Sequence, residues 1–299
     1  MDPRPRAAPT AVRAQLSTPD TRDVMRFANV AGRASVVIDD TVVDLAEATD
    51  GRIGPDPMDI YRSWDDALQI SRGLGPSSTP LDLDQLGCPV PMPRQVFAIG
   101  LNYRRHAEEA GMAVPTKPAT FTKFPSSLAG PFDDVTVIGD ATDWEVELVV
   151  VIGRTADRVA HDDAWAYVAG FTVGQDISDR YLQMAAGAQF SLGKSHRGFG
   201  PMGPWVVSVD EFDDPSDLSL GCSIDGEVVQ DARTRDLIFD VPTLIEELSS
   251  VLTLWPGDVI FTGTPSGVGM GYSPPRALAP GNVIETWIDG IGTMRNRCV

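Results

Sequence analysis

The chain has 299 residues, 42% of them hydrophobic and 22% charged, enough to bury a large core in one or two domains. A formal net charge of −18 argues against nucleic acid or an anionic membrane as the principal partner. No apolar run approaches the length of a membrane span, and 28 glycines with 24 prolines point to a turn-rich, β-rich protein rather than a helical bundle.

Residues 1–20 combine Arg, Ala and Pro without an apolar core and read as a disordered or extended tail, not a signal peptide. Residues 21–75 read as a small α+β domain. Its strands are expected at Val24–Phe27, Ala34–Ile38 and Thr41–Leu45, with a hairpin turn at Asp39-Asp40. Helical spacing follows over 60–73, where Trp64, Ala67, Leu68 and Ile70 form the apolar side. Residues 76–94, rich in Pro, Ser and Asp, read as a linker.

The main domain spans 95–299. Strands are expected at 96–100, 134–138, 144–152, 168–175, 205–208, 221–225, 258–261 and 283–288, and helices near 162–166, 180–187 and 242–252. The strand-dominated order gives an α+β, mainly β, fold class. There is no alternating βαβ pattern, no G-x-G-x-x-G and no P-loop, so a nucleotide fold is not expected. Cys88, Cys222 and Cys298 are far apart, odd in number and in no paired motif, which suits a reducing, cytoplasmic setting.

Glu145 and Glu147 stand two apart in a segment that otherwise reads as a buried strand, so both carboxylates leave the same face. From spacing alone this is either a solvated strand face or a pair neutralised by a cation. Val149 and Val151 continue that face, and an apolar continuation favours the cation. Asp176, closing the expected strand 168–175, supplies a third carboxylate. An all-oxygen triad suits Mg²⁺, Mn²⁺ or Ca²⁺ rather than zinc, for which the three scattered histidines offer no ligand spacing.

His106 and Glu109 lie three apart after a strand, and one helical turn would bring them together as a water-activating pair. The alternative is a surface histidine beside Glu108 and Glu109. Lys123 and Lys194 sit in largely apolar stretches, where each either holds a carboxylate or oxyanion or snorkels to the surface. The turn from Phe261 to Gly269 is rich in Gly and hydroxyl groups and could approach a ligand closely, or serve only as a structural loop.

Seven stretches, in one order, resemble the fumarylacetoacetate hydrolase family across 95–299. They are Ile99-Gly-Leu-Asn-Tyr-Arg-Arg-His106-Ala-Glu-Glu109, Asp143-Trp-Glu-Val-Glu-Leu148, Phe171-Thr-Val-Gly-Gln-Asp176, Gly193-Lys-Ser195, Gly203-Pro204, the run from Pro256 to Gly269, and Ile288-Asp-Gly-Ile-Gly292. The N-terminal unit is also similar to one found in many members. The resemblance implies a β-roll catalytic domain around a buried site, and a homodimer. It implies metal ligation by Glu145, Glu147 and Asp176, and water activation by His106 with Glu109. Lys123, Arg180, Gln183, Lys194 and Thr264 take the family's substrate-holding and oxyanion roles.

The activity so implied is metal-dependent hydrolysis of a carbon–carbon bond in a 2,4-diketo acid, a small anionic 2-oxo acid of the acylpyruvate type, within catabolism. Decarboxylation, isomerisation of a 2-hydroxy-dienoate, or specialised biosynthetic chemistry could use the same enolate-stabilising site. A non-catalytic binding protein is the reading from another class, and the full set of acids, base and lysines speaks against it. Residues 101–116 are expected to act as a lid, with loops 227–236 and 270–280 shaping the distal pocket. One departure stands out: many members have Phe-Asp where this chain has His196-Arg197, which could alter substrate charge preference. The stretches 189–194 and 198–205 are similar to members acting on sugar-derived 2,4-diketo acids.

Overall fold

The computed structural model describes residues 24–299 apart from Ala186 and Ala188. The tail expected at 1–20 lies outside the described residues. The first unit is a meander of β1 (Arg26–Val30), β2 (Arg33–Ile38) and β3 (Thr41–Asp44). Both hairpins turn on two residues with positive φ, Ala31-Gly32 (52° and 81°) and Asp39-Asp40 (46° and 58°), the geometry that matches the right-handed twist of flanking strands. The first of these turns fixes the register Val30↔Arg33, so β1 begins two residues later than its apolar pattern suggests and runs on to Val30.

Helices α1 (Leu45–Ala48), α2 (Pro57–Arg62) and α3 (Trp64–Ser71) follow. The single helical segment expected over 60–73 is therefore two helices meeting at Ser63. Asp56 caps α2 by accepting from Met58 N–H, and Pro57 sits in its first turn, where a missing N–H costs nothing. Beyond them β4 (Leu86–Gly87) pairs with β1, and Leu83, Leu86, Cys88 and Val90 are buried.

The rest of the chain supplies β5 (Val96–Gly100), α4 (Arg104–Glu109), β6 (Ala119–Thr122), β7 (Leu128–Ala129), β8 (Thr142–Asp143) and β9 (Val146–Ile152). Next come β10 (Val168–Gln175), β11 (Ser178–Asp179), α5 (Arg180–Ala185), β12 (Gly200–Ser208), β13 (Ser219–Ile224) and β14 (Glu227–Arg233). The chain ends with α6 (Val241–Ser249), β15 (Val259–Phe261), β16 (Val283–Ile288) and β17 (Gly292–Arg297). The helical turn expected near 162–166 is a 3₁₀ segment, His161–Tyr167.

One large sheet runs in the order β3-β2-β1-β12-β10-β9-β15-β5-β6, and a second runs β14-β13-β16-β17. This is the mainly β, α+β architecture that the strand order implies. The N-terminal meander joins the main sheet edge to edge, through Arg26↔Val207 and Phe27↔Val206.

Four local expectations change. No strand forms at 134–138: Val135 makes a single bridge to Cys298. Strand β12 starts five residues before 205, through Gly-Pro-Met-Gly-Pro, because its neighbours supply the pairing that those residues do not advertise. The region 227–236, read as a loop, is mostly strand β14, whose half-exposed Glu-Val-Val-Gln-Asp-Ala-Arg hides the alternation. Strands β6 and β17 are additional, and both are polar enough to pass for connections.

Strand β9 organises the core. Val146, Leu148, Val150 and Ile152 pack into one apolar cluster, while Val149 and Val151 pack into another on the opposite face with Tyr61 and Trp64 of the N-terminal unit. A carboxylate on a strand buried on both faces is costly unless a counter-charge or a cation neutralises it.

Candidate active site

Strand register assembles the acidic cluster. Glu147 on β9 faces Gly174 on β10, and one step further Asp176 N–H donates to the Glu145 carbonyl at 2.9 Å. Two acids at one end of β9 thus meet one acid at the end of β10. Oxygen atoms from Glu145, Glu147 and Asp176 all lie within 4.8 Å of one another, and the three residues are 5%, 1% and 0% exposed.

Cations surround two of the three. Lys194 Nζ lies 2.5 Å from Glu145 Oε2 and 2.7 Å from Asp176 Oδ2. Lys123 Nζ donates to Asp176 Oδ1 at 2.7 Å, to the Phe199 carbonyl at 3.1 Å and to the Lys194 carbonyl. The Arg180 guanidinium bridges Glu145 Oε1 at 2.7 Å and Asp143 Oδ2 at 2.8 Å. Glu147 is different: its one hydrogen-bond partner among the described residues is Gly263 N–H, at 2.8 Å from Oε2.

The electrostatics follow. Burial opposes ionisation of Glu145, but Lys194 and Arg180 outweigh it and hold the carboxyl down to about 2. Burial, reinforced by the carboxylates of Asp176 and Glu145, pushes Glu147 well above the usual carboxylate range. Burial lowers Lys123 despite Asp176, whereas Asp176 and Glu145 carry Lys194 above its ordinary value against the same burial. A close set of three buried carboxylate donors, one of them without a side-chain counter-ion, has the chemistry of a hard divalent-cation site. These residues fit Mg²⁺ or Mn²⁺.

The other candidates divide by position. A cavity of about 380 Å³ has Glu145, Glu147 and Lys194 in its floor, and His106, Arg180, Gln183 and Thr264 also line it. That is a volume typical of small-molecule sites. His106, on α4, has Nδ1 3.3 Å from Glu109 Oε2. Glu109 in turn accepts from Gly267 N–H at 3.0 Å, which ties α4 to the loop after β15. Gly267 has φ +103°, a conformation that a side chain would strain. Glu109, Asp176 and Lys123 are not part of the cavity lining: Glu109 stands behind His106, and Asp176 is held between Lys194 and Lys123.

Hydrogen bonding leaves specific donors for a ligand. Gln183 Oε1 accepts from Arg180 Nη1 at 3.0 Å, and its amide N–H groups have no hydrogen-bond partner among the described residues. Thr264 Oγ1 accepts from Gln230 Nε2 at 2.8 Å, so its own O–H remains to donate. His196 and Arg197 lie outside the cavity: His196 Nε2 is 3.1 Å from Asp179 Oδ2, its ring packs 4.9 Å from Phe199, and Arg197 is exposed.

Two supporting residues receive no role in the sequence reading. Asp143, 1% exposed, holds Arg180 and accepts from the N–H groups of Gly269 (2.6 Å) and Met270 (3.0 Å). Its signal is present, since Asp143, Glu145 and Glu147 alternate along one stretch. Gln230 accepts from Val146 N–H at 2.9 Å while donating to Thr264, and no local pattern marks it. No helix among the described residues is long and apolar enough to cross a membrane.

Comparison with known proteins gives this geometry a context. Residues 95–299 match the family described as fumarylacetoacetate (FAA) hydrolase, C-terminal. A 2,4-didehydro-3-deoxy-L-rhamnonate hydrolase from Sphingomonas sp. (strain SKA58) is 43% identical over 237 residues, 78% of this chain and 83% of its own. A mitochondrial oxaloacetate tautomerase from Rattus norvegicus is 42% identical over 213 residues, 71% of this chain and 68% of its own. Among solved structures, maleylpyruvate hydrolase from Sphingobium sp. SYK-6, in complex with manganese(II) ion and pyruvate, has a TM-score of 0.76 at 31% identity, covering 92% of this chain and 99% of that one. The relatives are hydrolases and a tautomerase of small keto acids. With the family's matched region filling the chain from residue 95 to its end, this protein belongs to the fumarylacetoacetate hydrolase family.

Proposed function

We propose that the protein hydrolyses the C3–C4 bond of an acylpyruvate-type 2,4-diketo acid, releasing pyruvate and a carboxylic acid. The observation that carries this is the convergence of a backed histidine and an acidic, cation-ready floor on one cavity. Glu145, Glu147 and Asp176 would hold one divalent cation, Mg²⁺ or Mn²⁺. When bound it supplies Lewis-acid charge for the 2-oxo acid end of the substrate. The manganese and pyruvate carried by the maleylpyruvate hydrolase support that assignment.

The chain's own groups supply the remaining steps. Thr264 O–H donates to the substrate carboxylate. Glu109 accepts from His106 Nδ1–H and so leaves Nε2 as the base that takes a proton from water. The water oxygen adds to the C4 carbonyl, and the Gln183 amide, with Lys194, stabilises the resulting oxyanion. Collapse breaks C3–C4, the electron pair passes to C3 as pyruvate enolate, and a proton returns to C3. Arg180 and Lys123 act at one remove, holding Glu145 and Asp176 in place.

A second reading has support in the tautomerase relative: enol–keto conversion of a 2-oxo acid needs proton transfer but no water attack. A coupled pyruvate-release assay with Mg²⁺ or Mn²⁺ separates the two. Simple acylpyruvates, fumarylpyruvate, a sugar-derived diketo acid and oxaloacetate form the panel. Equimolar pyruvate and matching acid establish hydrolysis. Enol-to-keto conversion of oxaloacetate, with no pyruvate from any acylpyruvate, establishes the tautomerase and ends the hydrolase proposal.

A further inference from the structure

Three methionines stand half out of the protein around the cavity mouth: Met112 is 49% exposed, Met184 58% and Met270 45%. They come from three separate segments, the residues after α4, helix α5 and the turn after Gly269. Below them Phe121 and Phe190 form an edge-to-face pair with centroids 5.5 Å apart, and Lys194 Nζ lies 5.5 Å from the Phe121 centroid. Exposure therefore falls from the methionines, through half-buried aromatics, to a floor where Lys194 is 2% exposed.

Charge is confined to that floor. The two cationic side chains lining the cavity, Arg180 and Lys194, are both engaged with Asp143, Glu145 and Asp176. With Lys123 beneath, three cations face four carboxyl groups, of which Glu147 has no side-chain counter-ion. A divalent cation, with Glu147 ionised to hold it, would bring the cluster to one net positive charge, which a single substrate carboxylate would cancel. Above the floor, a second carboxylate or a row of hydroxyls would lie against the carbon and thioether sulfur of the rim, which among the described residues lining the cavity offers it no cationic side chain, an arrangement that costs binding.

We infer that the acyl end of the substrate is uncharged and apolar, an alkyl chain or an aryl ring, and that Met112, Met184 and Met270 with Phe121 and Phe190 select it. The inference rests on the 2-oxo acid reading above. Methionine is flexible and polarisable, so the rim tolerates variation in shape far better than a change in charge.

The test is calorimetric binding to the Mn²⁺-loaded protein of pyruvate, 2-oxohexanoate and 2-oxoadipate. The last two differ only in a terminal carboxylate, and neither has a 4-carbonyl to be cleaved. Pyruvate should bind, 2-oxohexanoate should bind about ten- to fiftyfold more tightly, and 2-oxoadipate at least about tenfold more weakly than 2-oxohexanoate. Met184→Lys, at an exposed position, should narrow or reverse the preference between the six-carbon acids. Pyruvate binding together with 2-oxoadipate equal to or tighter than 2-oxohexanoate would overturn the apolar acyl end. If pyruvate itself fails to bind, the 2-oxo acid reading falls, and the inference with it.

Discussion

The floor of the cavity and its side wall are held by different means. The floor is strand-borne: Glu147 lies within the β9–β10 ladder, and Glu145 and Asp176 at its end, with their positions set by backbone register and by burial on both faces. The side wall is carried by a six-residue helix, α4, anchored by a few side-chain contacts. Asn102 spans to the Phe239 and Thr262 carbonyls at 2.9 and 2.7 Å, and Glu109 reaches Gly267. A register does not shift when one side chain changes, whereas a short helix loses its place when its ties are cut. Substitutions in the floor should change charge at constant geometry, and substitutions in the wall should change the geometry or the proton inventory at constant floor charge.

Glu147→Gln should have the largest effect. It removes the donor with no counter-ion and keeps the side-chain shape, so divalent-cation binding measured by calorimetry should be lost, with turnover down on the order of a thousandfold or more. The melting temperature of the metal-free protein should not fall, because burial and the neighbouring carboxylates already oppose ionisation of Glu147 and the amide oxygen can still accept from Gly263 N–H. A fall of several degrees would mean that Glu147 is part of the scaffold and would break the contrast between floor and wall.

His106→Ala comes next. Loss of the base should cut acylpyruvate cleavage by about 10²- to 10⁴-fold. Cation and pyruvate binding should remain at parent values, since the imidazole is not among the three carboxylate donors and its assigned role is to take the proton from water. Cleavage at the parent rate would remove His106 from the reaction. Cleavage lost together with pyruvate binding would make it a binding residue of the floor.

The same contrast governs what could be read from sequence. The floor is legible because strand periodicity is short: two residues along β9 return to the same face, and Val149 and Val151 announce that the face is buried. Asp176 is legible as the end of an apolar strand. Asp143 obeys the same alternation and is overlooked only because its partners, Arg180 and the Gly269 and Met270 amides, come from elsewhere in the chain. Gln230 has no local signature at all: β14 is polar and half-exposed, and only the sheet pairing brings that side chain under Val146 and Thr264. Motif resemblance names the pair His106 and Glu109, but the tie to Gly267 is a long-range contact that spacing cannot announce. Likewise His196-Arg197 reads as a change beside the site, yet neither residue lines the cavity, and His196 is engaged with Asp179.

The smallest effect belongs to Glu109→Gln, and it probes the wall most finely. The amide keeps the size of the side chain and one oxygen, so it can still accept from Gly267 N–H or from His106 Nδ1–H, and α4 should stay where it is. What it loses is the negative charge facing the imidazole as the proton arrives. Substitutions that disturb the partner orienting a functional histidine typically cost about 10- to 100-fold, and kcat for acylpyruvate cleavage should fall by that amount with KM and cation affinity unchanged. If KM rises along with the loss in kcat, the carboxylate serves mainly to pin α4 to the loop after β15. Glu109→Asp then decides between the two roles. It restores the charge but shortens the reach across a 3.3 Å contact. Partial recovery of kcat would assign Glu109 to the charge of the reaction, and further loss would assign it to the architecture of the wall.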